Sequence, residues 1–312
     1  TESPAMLNVD VDPRGGIKMR LGVVKRNGTA LASNVTGLGQ FTPDGGTARV
    51  LCSYGTTVAE SANGGSGDFT TLNGVAVTDG NRLYGQTTNN KFYGVSGDAA
   101  SFVYDGTTAS NLASNINGSA GNYPIAKYTC HWNNFAWVGH TKESSTEYKN
   151  RVRWSKIDDP ESWQDYDYID VNAGERGDIV SALVPYADRL LIFKTNSVHA
   201  LFGNSTESFQ MVPLSQDVGS VSMSSPVSTP YGVFFWYDRQ GVWVYNGERF
   251  VWVFEKLQPA IDDGRLQFTN PPQLAWFKNR LYVSVDWSET SELTTSRRVL
   301  IYDPTLGSSG AW

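Results

Sequence analysis

The chain has 312 residues, a formal net charge of −6 and a pI near 5.1, a balance that excludes a nucleic-acid surface held by basic charge. Charged residues make up only 18%, aromatics 12%, and glycines number 31, which favours strands and tight turns over amphipathic helices. No run of about 18 apolar residues offers a membrane-spanning helix, and two cysteines, Cys52 and Cys130, are no disulfide framework and are expected as buried thiols.

Residues 1–36 read as an irregular N-terminal arm, broken by Pro4, Pro13 and Gly15-Gly16. Residues 17–21 and 23–25 are expected as short strands, and the arm is expected to pack on, or close, the body that follows. The opening TESPAMLNVDVDPRGG has no apolar core behind a basic start, so it does not read as a secretory signal. The start at Thr1 and the stop at Ala311-Trp312 are expected of a portion of something longer.

From residue 37 to 312 one pattern recurs: a short apolar strand, a polar turn, a second strand, another turn, an aromatic strand. The clearest copies share Asn or Asp, then Arg, Leu and an apolar residue. They are Asn81-Arg82-Leu83-Tyr84, Asp188-Arg189-Leu190-Leu191 and Asn279-Arg280-Leu281-Tyr282. Looser copies stand at Asn134-Phe135-Ala136-Trp137, Gly232-Val233-Phe234-Phe235 and Ala48-Arg49-Val50-Leu51. Four strands at a period of about 40–50 residues are the signature of a β-propeller. Six copies predict an all-β propeller of about six four-stranded blades, with five or seven left open by one irregular spacing. A pair of stacked β-sandwiches is the rival architecture. The segments 62–67, 107–123 and 288–296 are rich in Gly, Ser, Thr and Asn and read as long loops.

The clearest stretch is YGVFFWYDRQGVWVYNGERFVW, residues 231–252. It reads as three strands, 233–237, 242–245 and 249–253, joined by a turn at 238–241 and a type I′ Asn246-Gly247 turn. A meander this short must stack on others to bury its faces. The last copy is incomplete after Tyr302-Asp303-Pro304, so a ring needs a strand from the arm or from further chain.

No residue pattern makes a convincing catalytic, cofactor or metal site. His131 stands beside Cys130 without a second ligand pair, and His199 lies in an apolar strand. His140 is the third histidine. Gly64-Gly65-Ser66-Gly67 lacks the lysine of a phosphate loop, and no Gly-x-Ser-x-Gly elbow occurs. Asp158-Asp159 and Asp262-Asp263 are candidate carboxylate pairs for glycoside hydrolysis, but each sits beside Pro160 or Gly264 and reads as a turn former. The segment at Ser155–Trp163 lacks the glycine and spacing of a sialidase turn. Trp163, Tyr166 and Tyr168 could stack on sugars, although packing between blades explains aromatics of this kind.

The succession VDPRGGIKMRLG, NRVRWSKIDDPESW, DIVSALVPYADRLLIFKTNSVHALFG and GVFFWYDRQGVWVYNG resembles the propeller-containing tail nozzle or tail hub (stabilisation) proteins of short-tailed bacteriophages. The likeness runs over most of the chain and is clearest from Arg151 to Gly247. It implies a non-enzymatic virion protein at the distal end of the tail, forming a ring, expected hexameric, around the genome-exit channel. Adaptor and fibre proteins are its implied partners, and DNA would pass without specific binding. That family carries no catalytic residues, so none are transferred, and its members are usually longer than 312 residues. A carbohydrate- or receptor-binding propeller is the alternative, followed by a propeller glycosidase.

Overall fold

Strands of this chain are too short and too apolar to stand alone, and they solve the problem by stacking as blades. The computed structural model describes residues 9–11, 17–19, 28–62, 68–172, 177–267, 270–288, 295–306 and 312. The arm holds a two-stranded hairpin, β1 (Val9–Val11) and β2 (Ile17–Met19), paired with each other. Residues 20–21 and 23–25, read as strand from the sequence, lie outside the described residues.

Six antiparallel sheets follow, forming a six-bladed β-propeller. The first blade is β3 (Val35–Phe41), β4 (Arg49–Tyr54), β5 (Thr57–Ser61) and β6 (Thr70–Ala76). The second is β7 (Tyr84–Thr88), β8 (Lys91–Val95), β9 (Phe102–Tyr104) and β10 (Ala109–Asn111). The third is β11 (Ile125–Trp132), β12 (Phe135–Glu143), β13 (Thr146–Trp154) and β14 (Tyr168–Asp170). The fourth is β15 (Val180–Tyr186), β16 (Arg189–Lys194), β17 (Val198–Phe202) and β18 (Gln210–Ser215). The fifth is β19 (Val227–Thr229), β20 (Gly232–Tyr237), β21 (Gly241–Tyr245) and β22 (Phe250–Trp252). The sixth holds β23 (Leu266–Gln267), β24 (Gln273–Phe277), β25 (Arg280–Ser288) and β26 (Thr295–Tyr302). Here β24 and β23 lie end to end along one edge of β25, with β26 on the other. A short helix, α1 (Gln258–Asp262), lies between the last two blades.

The repeated turn signature marks a hairpin inside a blade, between the first two strands or, in the sixth blade, between β24 and β25. Asn89-Asn90, Asn133-Asn134 and Lys278-Asn279 all have positive φ at both residues, as type I′ turns require. They join Thr88 to Lys91, Trp132 to Phe135 and Phe277 to Arg280 in register. Asp188-Arg189 and Asn279-Arg280 belong to this position, where β16 and β25 begin. Asn81-Arg82 does not, because Leu83 leads directly into β7, the first strand of its blade. The likeness of these four-residue copies is therefore a coincidence of composition, and it moves Arg82 to a different place in the ring. The Asn246-Gly247 turn also differs from expectation. Tyr245 pairs with Phe250, so the loop has four residues, and the Asn246 side chain accepts from the backbone N–H of Glu248 and Arg249. An asparagine that caps its own loop makes the two-residue turn unnecessary.

The core is a series of apolar layers between successive blades. Phe41, Leu51 and Val58 meet Phe92 and Phe102 between the first and second. Tyr93 and Val95 meet Ala136, Val138 and Trp163 between the second and third. Trp137 and Trp154 meet Leu183 and Ile192, then Leu191 and Phe193 meet Val233 and Phe235. Trp236 and Val242 meet Leu281 and Val283 between the fifth and sixth. Among the described residues no such cluster joins the sixth blade to the first. Strand parity puts Leu38, Val50 and Cys52 on the face of the first blade turned from the second. Phe277, Tyr282 and Val299 occupy the matching face of the sixth. Leu38 is 67% exposed and Phe277 59%, so the seam keeps apolar surface in contact with solvent.

Charged side chains brace the layers. Arg49, at the start of β4, pairs with Glu60, and Glu60 accepts a hydrogen bond from Tyr104 of the second blade. Arg189, at the equivalent position of the fourth blade, donates to the Tyr245 hydroxyl of the fifth. In the third blade Glu143 accepts from both Arg151 and Arg153, and Asp170 takes two further bonds from Arg151 at 2.8 Å each. The Arg151 guanidinium lies between the Tyr148 and Tyr168 rings, 3.8 Å from each centroid.

Candidate functional site

One end of the ring's central opening gathers side chains from blades that are not neighbours. The connection between β18 and β19 carries Ser220-Val221-Ser222-Met223-Ser224-Ser225, small residues that let the backbone run close to four blades. Val221 N–H donates to the Trp236 carbonyl of the fifth blade, and Leu274 N–H of the sixth donates to the Ser224 carbonyl. Leu183 N–H of the fourth blade points at the Met223 sulfur, 3.3 Å away. From the opposite side, Arg82 donates to the Ser224 hydroxyl at 2.8 Å. With its oxygen turned to the guanidinium, the Gln273 carboxamide accepts from both amino nitrogens of Arg82 at 2.9 and 3.1 Å. The second blade is thereby tied across the opening to the fifth and sixth.

The partners of Arg82 are neutral. No carboxylate among the described residues is within ion-pair distance of it. Ser222 and Ser224 hydroxyls are 3.1 Å apart, and burial lifts the Tyr84 phenol above its ordinary value while Arg82 and Ser224 pull it back. The result is a half-buried guanidinium ringed by hydroxyls and an amide. Sequence reading missed this site because its members, from Arg82 to Gln273, lie up to 191 residues apart. The usable signal was the run of four serines at 220–225 in a connection longer than the usual few residues.

The residues singled out from sequence are distributed elsewhere. His140 sits at a β-bulge with φ +56°, donates from Nε2 to Glu147 at 2.7 Å, and is held neutral mainly by burial. His131 is likewise lowered by burial. His199 is buried in β17, as its apolar strand suggested. Its Nε2 stands 3.3 Å from the Ser197 hydroxyl, and Asp178 is close by. This is not a nucleophile poised by a base, because the serine donates to the Asp178 carboxylate at 2.6 Å rather than to the imidazole. Asp178 also accepts from Thr195 and from Asn196 N–H, and Lys194 Nζ is 3.5 Å away. The cluster is a satisfied polar knot beneath the fourth blade.

Cys52 and Cys130 are free and buried, as expected. Asp158 has φ +57°, and the Asp159 carboxylate caps Glu161 N–H. Asp262 accepts from Gln258 and Asp263 pairs with Arg265. Both acidic pairs are thus turn and helix-end residues, one in the loop between β13 and β14 of the third blade and the other at the end of α1 between the fifth and sixth blades. Trp163 is fully buried with its indole donating to the Pro160 carbonyl, while Tyr166 and Tyr168 are exposed, the Tyr168 ring with the Arg151 and Arg153 guanidiniums against it. These three form no shared sugar platform. Residues 64–67 lie outside the described residues. No group of three or more His, Cys, Asp or Glu among the described residues is placed to hold a metal ion. No helix of the described residues is long and apolar enough to cross a membrane.

No family model matches this chain, and no curated protein matches it. Solved structures do. The extracellular domain of a protein described as a hybrid two component system from B. thetaiotaomicron matches with a TM-score of 0.51 and 12% identity, over 91% of this chain and 35% of that one. The present chain therefore spans about a third of that protein's length. The β-propeller domain of Cps50 (Swd1) from Myceliophteria thermophila matches at 13% identity, over 93% of this chain and 88% of that one, with a TM-score of 0.48. BamB from Moraxella catarrhalis matches at 10% identity, over 85% of this chain and 74% of that one, with a TM-score of 0.47. At these identities the likeness establishes the fold alone.

Proposed function

We propose that this chain is a structural, non-enzymatic component of a bacteriophage tail, of the nozzle or hub type. The observation that carries the reading is where the resembling stretches fall. Three of the four form the end of β13 with the loop after it, most of the fourth blade and the central hairpin of the fifth, which are consecutive blades. Those blades are also heavily cross-braced, by Arg151, Arg153 and Glu143 in the third and by Lys194 and Asp178 in the fourth. Buried ion pairs and satisfied polar knots give a part that resists deformation, which suits a load-bearing conduit.

The conduit itself would lie between copies. Arg82 and the serine connection cross the propeller's own opening, so DNA would pass through a ring of propellers, expected hexameric. Exposed Leu38, Phe277 and Val299 along the first and sixth blades supply apolar surface for assembly with copies or with adaptor and fibre proteins. A net charge of −6 would keep the wall from gripping DNA. Antibody against the chain should label the tail tip of virions in electron micrographs. Labelling of host cell envelopes, with bare virions, would refute the reading.

A receptor- or carbohydrate-binding propeller is the second reading. A groove of about 310 Å³ between the fifth and sixth blades favours it, lined by Tyr231, Trp252, Tyr302 and Trp312 with Glu255 and Lys256 at hand. Glycan-array binding that is lost in Trp252→Ala would support it.

A further inference from the structure

From the axial cluster we infer a binding site for an oxyanion, a carboxylate or a phosphate, at the end of the ring closed by the serine connection. Arg82 carries five N–H donors. Among the described residues, the Ser224 hydroxyl takes one and the Gln273 carboxamide oxygen, once turned, takes two. The Tyr84 phenol is a further hydrogen-bond partner of the guanidinium, yet every one of these acceptors is neutral, and the planar fork keeps the bidentate edge on which two oxygens of a carboxylate or phosphate would replace weaker neutral acceptors.

Arg82 differs in this from five other arginines of the ring. Arg49, Arg151, Arg153, Arg189 and Arg280 each have a carboxylate partner, Glu60, Asp170, Glu143, Asp188 and Asp303 respectively. Their charge is already matched inside the fold. At Arg82 the surrounding groups are hydroxyls and an amide, which fix the side chain without neutralising it. Ser222, Ser224 and Tyr84 add hydroxyl donors beside the charge, and a hydroxyl can turn its proton toward an anion. The cluster therefore supplies charge, orientation and neutral donors together. The inference does not depend on the tail reading, since it rests on one propeller alone.

Isothermal titration of the full chain with inorganic phosphate, and separately with citrate, tests it at constant ionic strength set by sodium chloride. Both anions should bind with one site per chain, and the stronger of the two identifies the preferred oxyanion. Arg82→Gln should weaken binding about tenfold or more, and Arg82→Lys should keep only part of it, because the bidentate edge is lost. Circular dichroism establishes that each variant is folded at the titration temperature. If Arg82→Gln disturbs the fold, Ser224→Ala provides a milder test and should weaken binding several-fold. Chloride-equivalent heats, or unchanged affinity in folded Arg82→Gln and Ser224→Ala, would overturn the assignment. Monomeric and oligomeric forms should bind alike, so failure here leaves the tail reading standing and the reverse also holds.

Discussion

Replacing Glu143 by glutamine should be among the most damaging conservative changes in the protein. Its carboxylate accepts from Arg153 at 2.7 and 2.9 Å, from Arg151 at 3.1 Å and from Thr141 at 3.1 Å. Burial pushes this carboxyl up, but the Arg153 and Arg151 guanidiniums outweigh it and hold it below its ordinary value. Arg153 is only 2% exposed, so the amide would leave a buried guanidinium with carbonyl partners alone, those of Gln164 and Asp165. Breaking a buried pair from one side costs about 3–5 kcal/mol. For a chain of this size that corresponds to a fall in Tm of roughly 6–12 °C. Urea unfolding followed by tryptophan fluorescence gives the free energy. The double variant Glu143→Gln with Arg153→Met should be less destabilised than the sum of the singles by about 1–3 kcal/mol, since the stranded charge goes too. A loss below about 1 kcal/mol in the single variant, or strict additivity in the pair, would refute the view that this sheet is locked by a buried ion pair.

Acidification should weaken the fold in two stages. Burial lowers His140 and His131 below the ordinary 6.5, so the unfolded chain takes up their protons first. Their contribution is complete above that value and is lost as pH falls toward the folded-state values. Glu147, held down to about 2 by Lys127 and His140, adds stability above 4.5 that is lost between there and about 2. The urea midpoint should fall from pH 7 to 5 and again below 4.5, and a rise on acidification would contradict this. Burial raises the Cys52 thiol to about 11 and raises Cys130 as well, so a thiol reagent should leave both untouched in the native protein and label both in denaturant. Native labelling of either would place it nearer the surface than described. A methyl group on Gly85 would run into the Phe92 ring, so Gly85→Ala should cost about 1–3 kcal/mol by urea unfolding. A neutral result would mean that this layer is looser than its buried rings imply.

The architecture was legible because its grammar is local. Aromatic strands and Asn-rich turns repeat, and a type I′ turn needs residues that tolerate positive φ at both centres, as Asn133-Asn134 do. The same grammar misled where composition matched but position did not. Asn81-Arg82-Leu83-Tyr84 looks like Asn279-Arg280-Leu281-Tyr282, yet one enters β7, which opens its blade, and the other leaves a hairpin into β25. Four residues cannot carry the phase of a four-stranded repeat. The axial cluster was illegible for a different reason. Arg82, Ser224 and Gln273 meet only because a ring brings its second blade opposite its fifth and sixth. That proximity is a property of closure, and no window of sequence contains it.

Native mass spectrometry of the purified chain, paired with negative-stain images of the same sample, tests the proposed role most directly. Closed rings of a single copy number, with a hole between propellers, are the predicted result. A monomer at every concentration, with and without the adaptor protein, would contradict a conduit built from this chain.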